Sequence, residues 1–287
     1  MNQITRVFAV LLWMVVAVAG VRAEDATSPT MRIVTLSPNL TELVFALGRG
    51  DDVVAVTDYC RWPEAAQSRP RIGGLYTLNM EKLLALRPTI VLHSADHRGA
   101  IDQLRSFGIR TVLVPTESMD DIFRGIDQVG AELQASAQAE VVKLRIQSQL
   151  EEIEERYGKK RRVKVLYAVD NSPGEMRQIY VLGPGTFLDD VLRRAGGDNV
   201  MADSKAHYPL LSREYIIAHP PELIVTSKQE DTPQARAAWL EFLGRTEANA
   251  PRFLFIDDRH LAIPGPSIGA RALEFAARLD EARATLD

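Results

Sequence analysis

Five histidines, one cysteine and a Gly-Pro-Gly-Thr turn are the places where this 287-residue chain could hold chemistry. Of His93, His97, His207, His219 and His260, only His93 and His97 share a helical spacing, with Asp96 between them. That pair follows a strand-like run, so it reads as a solvated loop rather than as a pair of metal ligands. Cys60 stands alone, which excludes an internal disulfide and a cysteine-based metal cluster, and it reads as a small buried residue. Gly183-Pro184-Gly185-Thr186 looks like a phosphate loop but lacks the lysine that should follow. Its reading is a tight turn before a helix capped by Thr186. The sequence has neither a G-x-S-x-G elbow nor an H-E-x-x-H pair. No catalytic residue and no metal-ligand set is assigned, and an exported hydrolase stays only as a lesser alternative.

Composition narrows the field further. Lys and Arg number 34 against 38 Asp and Glu, for a formal charge of −4, so no general cationic field exists to attract nucleic acid. Apolar residues at 46% fit an ordinary globular chain, and 287 residues allow one large domain or two lobes that each bury a core. Met1 to Arg6 carries one positive charge, and Val7 to Val21 is uncharged and apolar. This run falls short of the roughly 20 residues a membrane span needs. Val21-Arg22-Ala23 offers small residues for cleavage after Ala23, and Ala17-Val18-Ala19 offers a second place. The expectation is a cleaved signal peptide over 1–23 and a periplasmic mature protein. Its loss removes Arg6 and Arg22 and no acid, making the mature chain more acidic.

Strand-like runs and helical patterns alternate over both ends of the chain. RIVTLS (32–37), VVAV (53–56), TIVL (89–92) and RTVLV (110–114) read as strands. Helices are expected at Pro38–Leu47, at MEKLLALR behind an Asn79 cap, and at Ala100–Phe107. From Asp120 to Gly158 only helical periodicity remains. Val142, Ile146, Leu150, Ile153 and Tyr157 form one apolar stripe, and Ser136–Tyr157 predicts a helix about 33 Å long. The opposite face, with Glu151, Glu152, Glu154 and Glu155, reads as solvated. Strands then resume at RVKVLYAV (162–169) and IYVL (179–182), followed by a helix over Phe187–Ala195 and a Gly-Gly stop.

An internal echo organises these elements. Asn79-Met80-Glu81-Lys82-Leu83-Leu84-Ala85 leads through Pro88 into TIVL. At a constant offset of 133, Ser212-Arg213-Glu214-Tyr215-Ile216-Ile217-Ala218 leads through Pro221 into ELIV (222–225). The expected fold class is therefore α/β: two similar lobes with mainly parallel central sheets, joined by one long rigid helix. The boundaries are a lobe over 24–119, a helical connector over 120–159 and a second lobe over 160–287. Two lobes leave a cleft between them, where ligand sites usually form.

Six blocks carry a resemblance: RIVTLSPNLTELVFALG, VTDYCRWPEAAQ with the following IGG, NMEKLLALRPTIVL, GPGTFLDDVLRRAGGDNV and LSREYIIAHPPELIV. In this order, between about Arg32 and Leu279, they resemble the periplasmic vitamin B12 and iron-complex (siderophore, haem) binding proteins of ABC importers. The resemblance implies a monomeric, non-enzymatic binding protein with no intrinsic cofactor. It implies capture of a metal chelate in the cleft (cobalamin, haem or a ferric siderophore) and delivery to an ABC permease in the inner membrane. A haem or metal chaperone uncoupled from a permease is the alternative. Glu81 and Glu214 match the family's permease-docking glutamates. Tyr59 matches an aromatic that contacts the corrin, and Tyr208 lies where those binders carry a ligand-facing Trp. Tyr76 lies near the haem binders' iron-ligating Tyr, though Gly74 takes that register. Trp62 and His207 flank these residues and join the candidate ligand-binding set. Near the C-terminus, Ala262-Ile263 replaces the Glu-Arg pair of the B12 binders and Pro266-Ser267 their Pro-Arg, so the resemblance leaves the chelate open.

Overall fold

The computed structural model describes residues 31–74, 77–94, 98–170, 176, 178–227, 231–256 and 261–286. The first β-branched run gives β1 (Ile33–Thr35), followed by α1 (Pro38–Ala46), with Pro38 at the helix start where its missing N–H costs nothing. Next come β2 (Val53–Val56), α2 (Met80–Ala85), β3 (Ile90–His93), α3 (Arg98–Ser106) and β4 (Arg110–Leu113). The four strands are parallel in the order β2-β1-β3-β4. Such a sheet must be covered on both faces. One covering core gathers Val34, Leu36, Ala55, Ile72, Leu83, Val91, Ile101 and Leu104.

Two helices follow without a strand. α4 (Met119–Glu132) starts with a capping box in which Ser118 and Asp121 satisfy one another's backbone N–H groups. α5 (Ser136–Tyr157) has the expected bounds and buries Val142, Ile146, Leu150, Ile153 and Tyr157, with Ala139 extending the stripe. It packs against α4 on one side and the C-terminal helix α9 (Ile268–Arg283) on the other. Its glutamates at 151, 152, 154 and 155 are exposed.

The second sheet opens with β5 (Val163–Asp170) and the two-residue β6 (Tyr180–Val181), then α6 (Phe187–Arg194) and β7 (Gly197–Asn199). α7 (Arg213–Ala218), β8 (Leu223–Ser227), α8 (Pro233–Leu243) and β9 (Arg252–Ile256) complete it. β7, β8 and β9 run parallel to their neighbours, whereas β6 is antiparallel to β5. Omitting β6, the order is β7-β5-β8-β9, which repeats the order of the first sheet. The echo is thus a repeat of topology: α2 leads into β3 as α7 leads into β8. Arg32–Asp287 form one unit, so both sheets belong to a single body.

Three differences from the sequence reading have clear causes. The Gly-Gly stop is also a strand start: Gly196, at φ +82°, ends α6, and Gly197 opens β7 beside Val163. His93 is no loop residue; it closes β3 and is buried. α8 and β9 were not read, although Thr232 accepts from the Ala235 N–H, Pro233 starts the helix and Gly244 ends it in the left-handed region. Those three positions are a complete set of helix punctuation.

Candidate functional site

In parallel sheets, ligands meet the chain beyond the carboxyl ends of the strands. Candidate residues in both lobes follow strands in this way. In the first lobe, β2 runs into a loop that carries Tyr59 and Trp62, exposed at 64% and 54%. The loop's base is firmly tied. The Arg71 guanidinium donates to the carbonyls of Thr57 at 2.7 Å and Cys60 at 2.8 Å, and Thr57 Oγ1 lies 3.1 Å from Cys60 Sγ. Cys60, between Tyr59 and Trp62 in the chain, is fully buried. Tyr59 leans over Gly74, where an added Cβ would come within 2.9 Å of the ring. Large apolar rings held in water by a rigid base are costly unless something covers them, which makes them binding candidates.

In the second lobe, β7 runs into a longer segment that returns alongside β6. Gly183 N–H donates to His207 O, Val181 N–H to Pro209 O and Leu211 N–H to Ile179 O, at 2.8–3.0 Å. This backbone lattice fixes His207 and Tyr208. The His207 ring sits above Gly185, and its Nδ1 lies 2.9 Å from Pro184 O. A carbonyl can only accept, so Nδ1 is the donor, and in the neutral ring this tautomer leaves Nε2 with a lone pair for a metal or a donor. His207 is exposed, and Tyr208 is 37% exposed.

Glu117, which sequence reasoning did not single out, joins the lobes. Its backbone carbonyl accepts from Phe187 N–H at the start of α6, 2.9 Å away. Its carboxylate faces the Tyr208 hydroxyl. Burial, then the Glu117 charge, pushes that phenol well above the ordinary tyrosine range, so Tyr208 presents a neutral ring. The available signal was position: Glu117 lies just past β4, at the carboxyl edge of the first sheet. Glu42 of α1 makes a second junction, facing Ser267 and Arg271 of the C-terminal segment and Arg145 of α5. Burial raises its pKa.

Glu81 and Glu214 occupy matching places near the starts of α2 and α7, both exposed. Asn79 accepts from Lys82 N–H and Ser212 from Tyr215 N–H, so each helix is capped just ahead of its glutamate. Neither glutamate pairs with a described residue. Tyr76, like His97 and His260, lies outside the described residues. Thr186 caps α6 as expected, accepting from Asp189 N–H at 3.1 Å. Among the described residues, no three His, Cys, Asp or Glu gather as a metal cluster.

Two lobes of one topology, a flanking helix pair and exposed rings beyond the strand ends define a receptor for a small solute. The family model described as periplasmic binding protein matches residues 33–247, and the chain belongs to that family. The vitamin B12-binding protein of Yersinia pestis (strain Pestoides F) is 27% identical over 212 residues, 73% of this chain and 74% of the relative. The periplasmic haem-binding protein HutB of Vibrio cholerae superposes with a TM-score of 0.73 at 27% identity, covering 88% of this chain and 98% of that one. The periplasmic vitamin B12 binding protein BtuF of Vibrio cholerae has a TM-score of 0.72 at 24% identity, covering 89% and 98%, and speaks for the fold alone. These are binding proteins, not enzymes, and this chain is a solute-binding protein of the same periplasmic family.

Proposed function

We propose that the protein captures a metal-bearing tetrapyrrole, cobalamin or haem, between its lobes and delivers it to an ABC permease. One observation carries this reading: the equivalent strands β2 and β7 both run out into exposed aromatic residues, Tyr59 with Trp62 and Tyr208. Flat macrocycles are well matched by ring faces, which lose little side-chain freedom on ordering. The relatives at 27% identity point the same way, since one binds vitamin B12 and the other haem. Tyr59, Trp62, Tyr76, His207 and Tyr208 form the proposed ligand set. His207 Nε2 is the described atom best prepared to reach an open axial position on iron or cobalt. Tyr208, kept as a neutral phenol beside Glu117, serves as a ring contact.

In this reading residues 1–23 are a signal peptide removed on export, and the lobes are 24–119 and 160–287 about the connector at 120–159. Glu81 and Glu214 dock onto basic groups of the permease, one per lobe, which fixes orientation and speeds encounter. The test is a fluorescence titration of the mature protein with cyanocobalamin, haemin and a ferric siderophore. Trp62 is exposed and Trp239 fully buried, so the part of the quenching that Trp62→Phe removes reports on the Trp62 loop. Saturable quenching by a tetrapyrrole, weakened at least tenfold by Tyr59→Ala, is the expected result. Binding of the siderophore alone, or of none of the three, would overturn the ligand class.

A further inference from the structure

A second cavity lies along α7, on the outside of the second lobe. It encloses about 390 Å³ between α7 and the end of α8. Its apolar wall is formed by Ile216, Ile217, Leu243 and the prolines Pro221 and Pro251, which precede the starts of β8 and β9. These are the amino ends of the strands, so the cavity is separate from the carboxyl-end ligand set. Two guanidiniums border it. Arg213 lies against Gly244, where an added Cβ would come within 2.6 Å of its Nη2, and Arg245 donates to Asn249 O at 2.9 Å. Neither pairs with a described carboxylate. Ile217 is 62% exposed beside them.

Arginines that border a cavity with an apolar wall and pair with no described carboxylate are set to receive one, and a guanidinium fork matches a carboxylate in two hydrogen bonds. Arg213 adjoins Glu214 on the same short helix, so the cavity continues the docking face. At the matching position of the first lobe, Met80 stands in place of Arg213 and is packed on that lobe's core. We infer that this cavity receives an acidic side chain of the permease, with an apolar neighbour against Ile217. The second lobe then docks through one negative and one positive contact. The inference rests on the docking reading of Glu214 and extends it.

Spheroplasts of the source bacterium, with its own gene for this protein deleted, supply the permease. Purified variants are added back, and uptake of radiolabelled cyanocobalamin or haemin, whichever the titration finds bound, is measured against protein concentration. Arg213→Gln with Arg245→Gln should raise the half-maximal concentration about tenfold, leave ligand affinity unchanged and respond less to salt. Arg213→Lys should recover part of the loss, which a purely structural role would not produce. If the double variant is unstable, Arg213→Gln alone, whose side chain only rests on Gly244, gives the same readout. An unchanged half-maximal concentration while Glu214→Ala still impairs uptake would overturn the cavity's role and keep the docking reading. Unchanged uptake in both would overturn both. Titration with citrate and inorganic phosphate closes the test: tight binding lost in the arginine variants, with uptake intact, would make this a small-anion site and defeat the inference.

Discussion

The two lobes share a strand order and differ in what is attached to it. In the first, β1 passes directly into α1, and the candidate rings follow β2 within a few residues. In the second, β6 and a turn are inserted between β5 and α6. That insertion is the platform on which the segment carrying His207 and Tyr208 lies. The repeat supplies the frame, and the insertion supplies one lobe with a different surface beside the carboxyl ends of its strands. Of the proposed ligands, cobalamin carries different groups on its two faces, and a strictly symmetric cleft would suit it poorly.

The cores also differ in filling. The first lobe's core is aliphatic, whereas the second centres on Trp239, fully buried and edge-on to Phe242 at 6.2 Å. The largest effect is therefore expected from Trp239→Ala, which should cost about 3–5 kcal/mol, against about 2–5 for Leu104→Ala in the first lobe. Urea unfolding measures both. Equal and small losses would show that neither core limits the fold. Near-ultraviolet circular dichroism should lose more signal in the Trp239 variant.

Docking offers the next comparison. Glu81→Ala should lower uptake more than Glu214→Ala, roughly tenfold against threefold, because the second lobe keeps its arginine cavity. These factors correspond to about 1.4 and 0.7 kcal/mol. Equal effects would return the lobes to symmetry, and no effect from the double variant with ligand binding intact would remove docking from both helices. The caps come below these. Asn79→Ala and Ser212→Ala should each cost about 1 kcal/mol in urea unfolding, since each deprives a six-residue helix of its N-terminal acceptor. A much larger loss on one side would reveal that the cap also holds the loop before it.

How far the sequence carried these conclusions follows from the kind of interaction. α5 was legible to the residue because its stripe is a local periodicity, and the echo because caps and prolines act within one turn. Thr232, Pro233 and Gly244 were equally local, and α8 could have been read from them. β7 was obscured because only three residues pair, and their partners Val163, Lys164 and Val165 lie over thirty positions away. Arg71 and the Arg213–Arg245 cavity could not be read at all, and Glu117 offered only its position just past β4. Each depends on chain segments brought together by the fold, and nothing in their local sequence distinguishes them from surface charges.

The smallest expected effect isolates one position in the repeat. His93 ends β3, and Thr226 stands 133 positions on in β8, both buried with a side-chain atom lacking a partner among the described residues. Burial holds His93 below the ordinary histidine value; the Arg105 charge adds to this, and the Ser94 carbonyl at its Nδ1 opposes it. The unfolded chain takes up a proton near pH 6.5, while the folded one does so only at lower pH. Between those values the unfolded state binds more protons, so stability must fall as pH drops and stay flat above. Thr226 cannot titrate, so the matching position of the second lobe contributes no such pH dependence. His93→Thr, which copies the second lobe into the first, should flatten melting temperature between pH 7 and pH 5 without changing its value relative to other variants at pH 8 by more than a core substitution of this size would. A slope unchanged by the substitution would assign the acid sensitivity elsewhere, and a stability that rises on acidification would point to Glu42, whose raised pKa has the opposite sign.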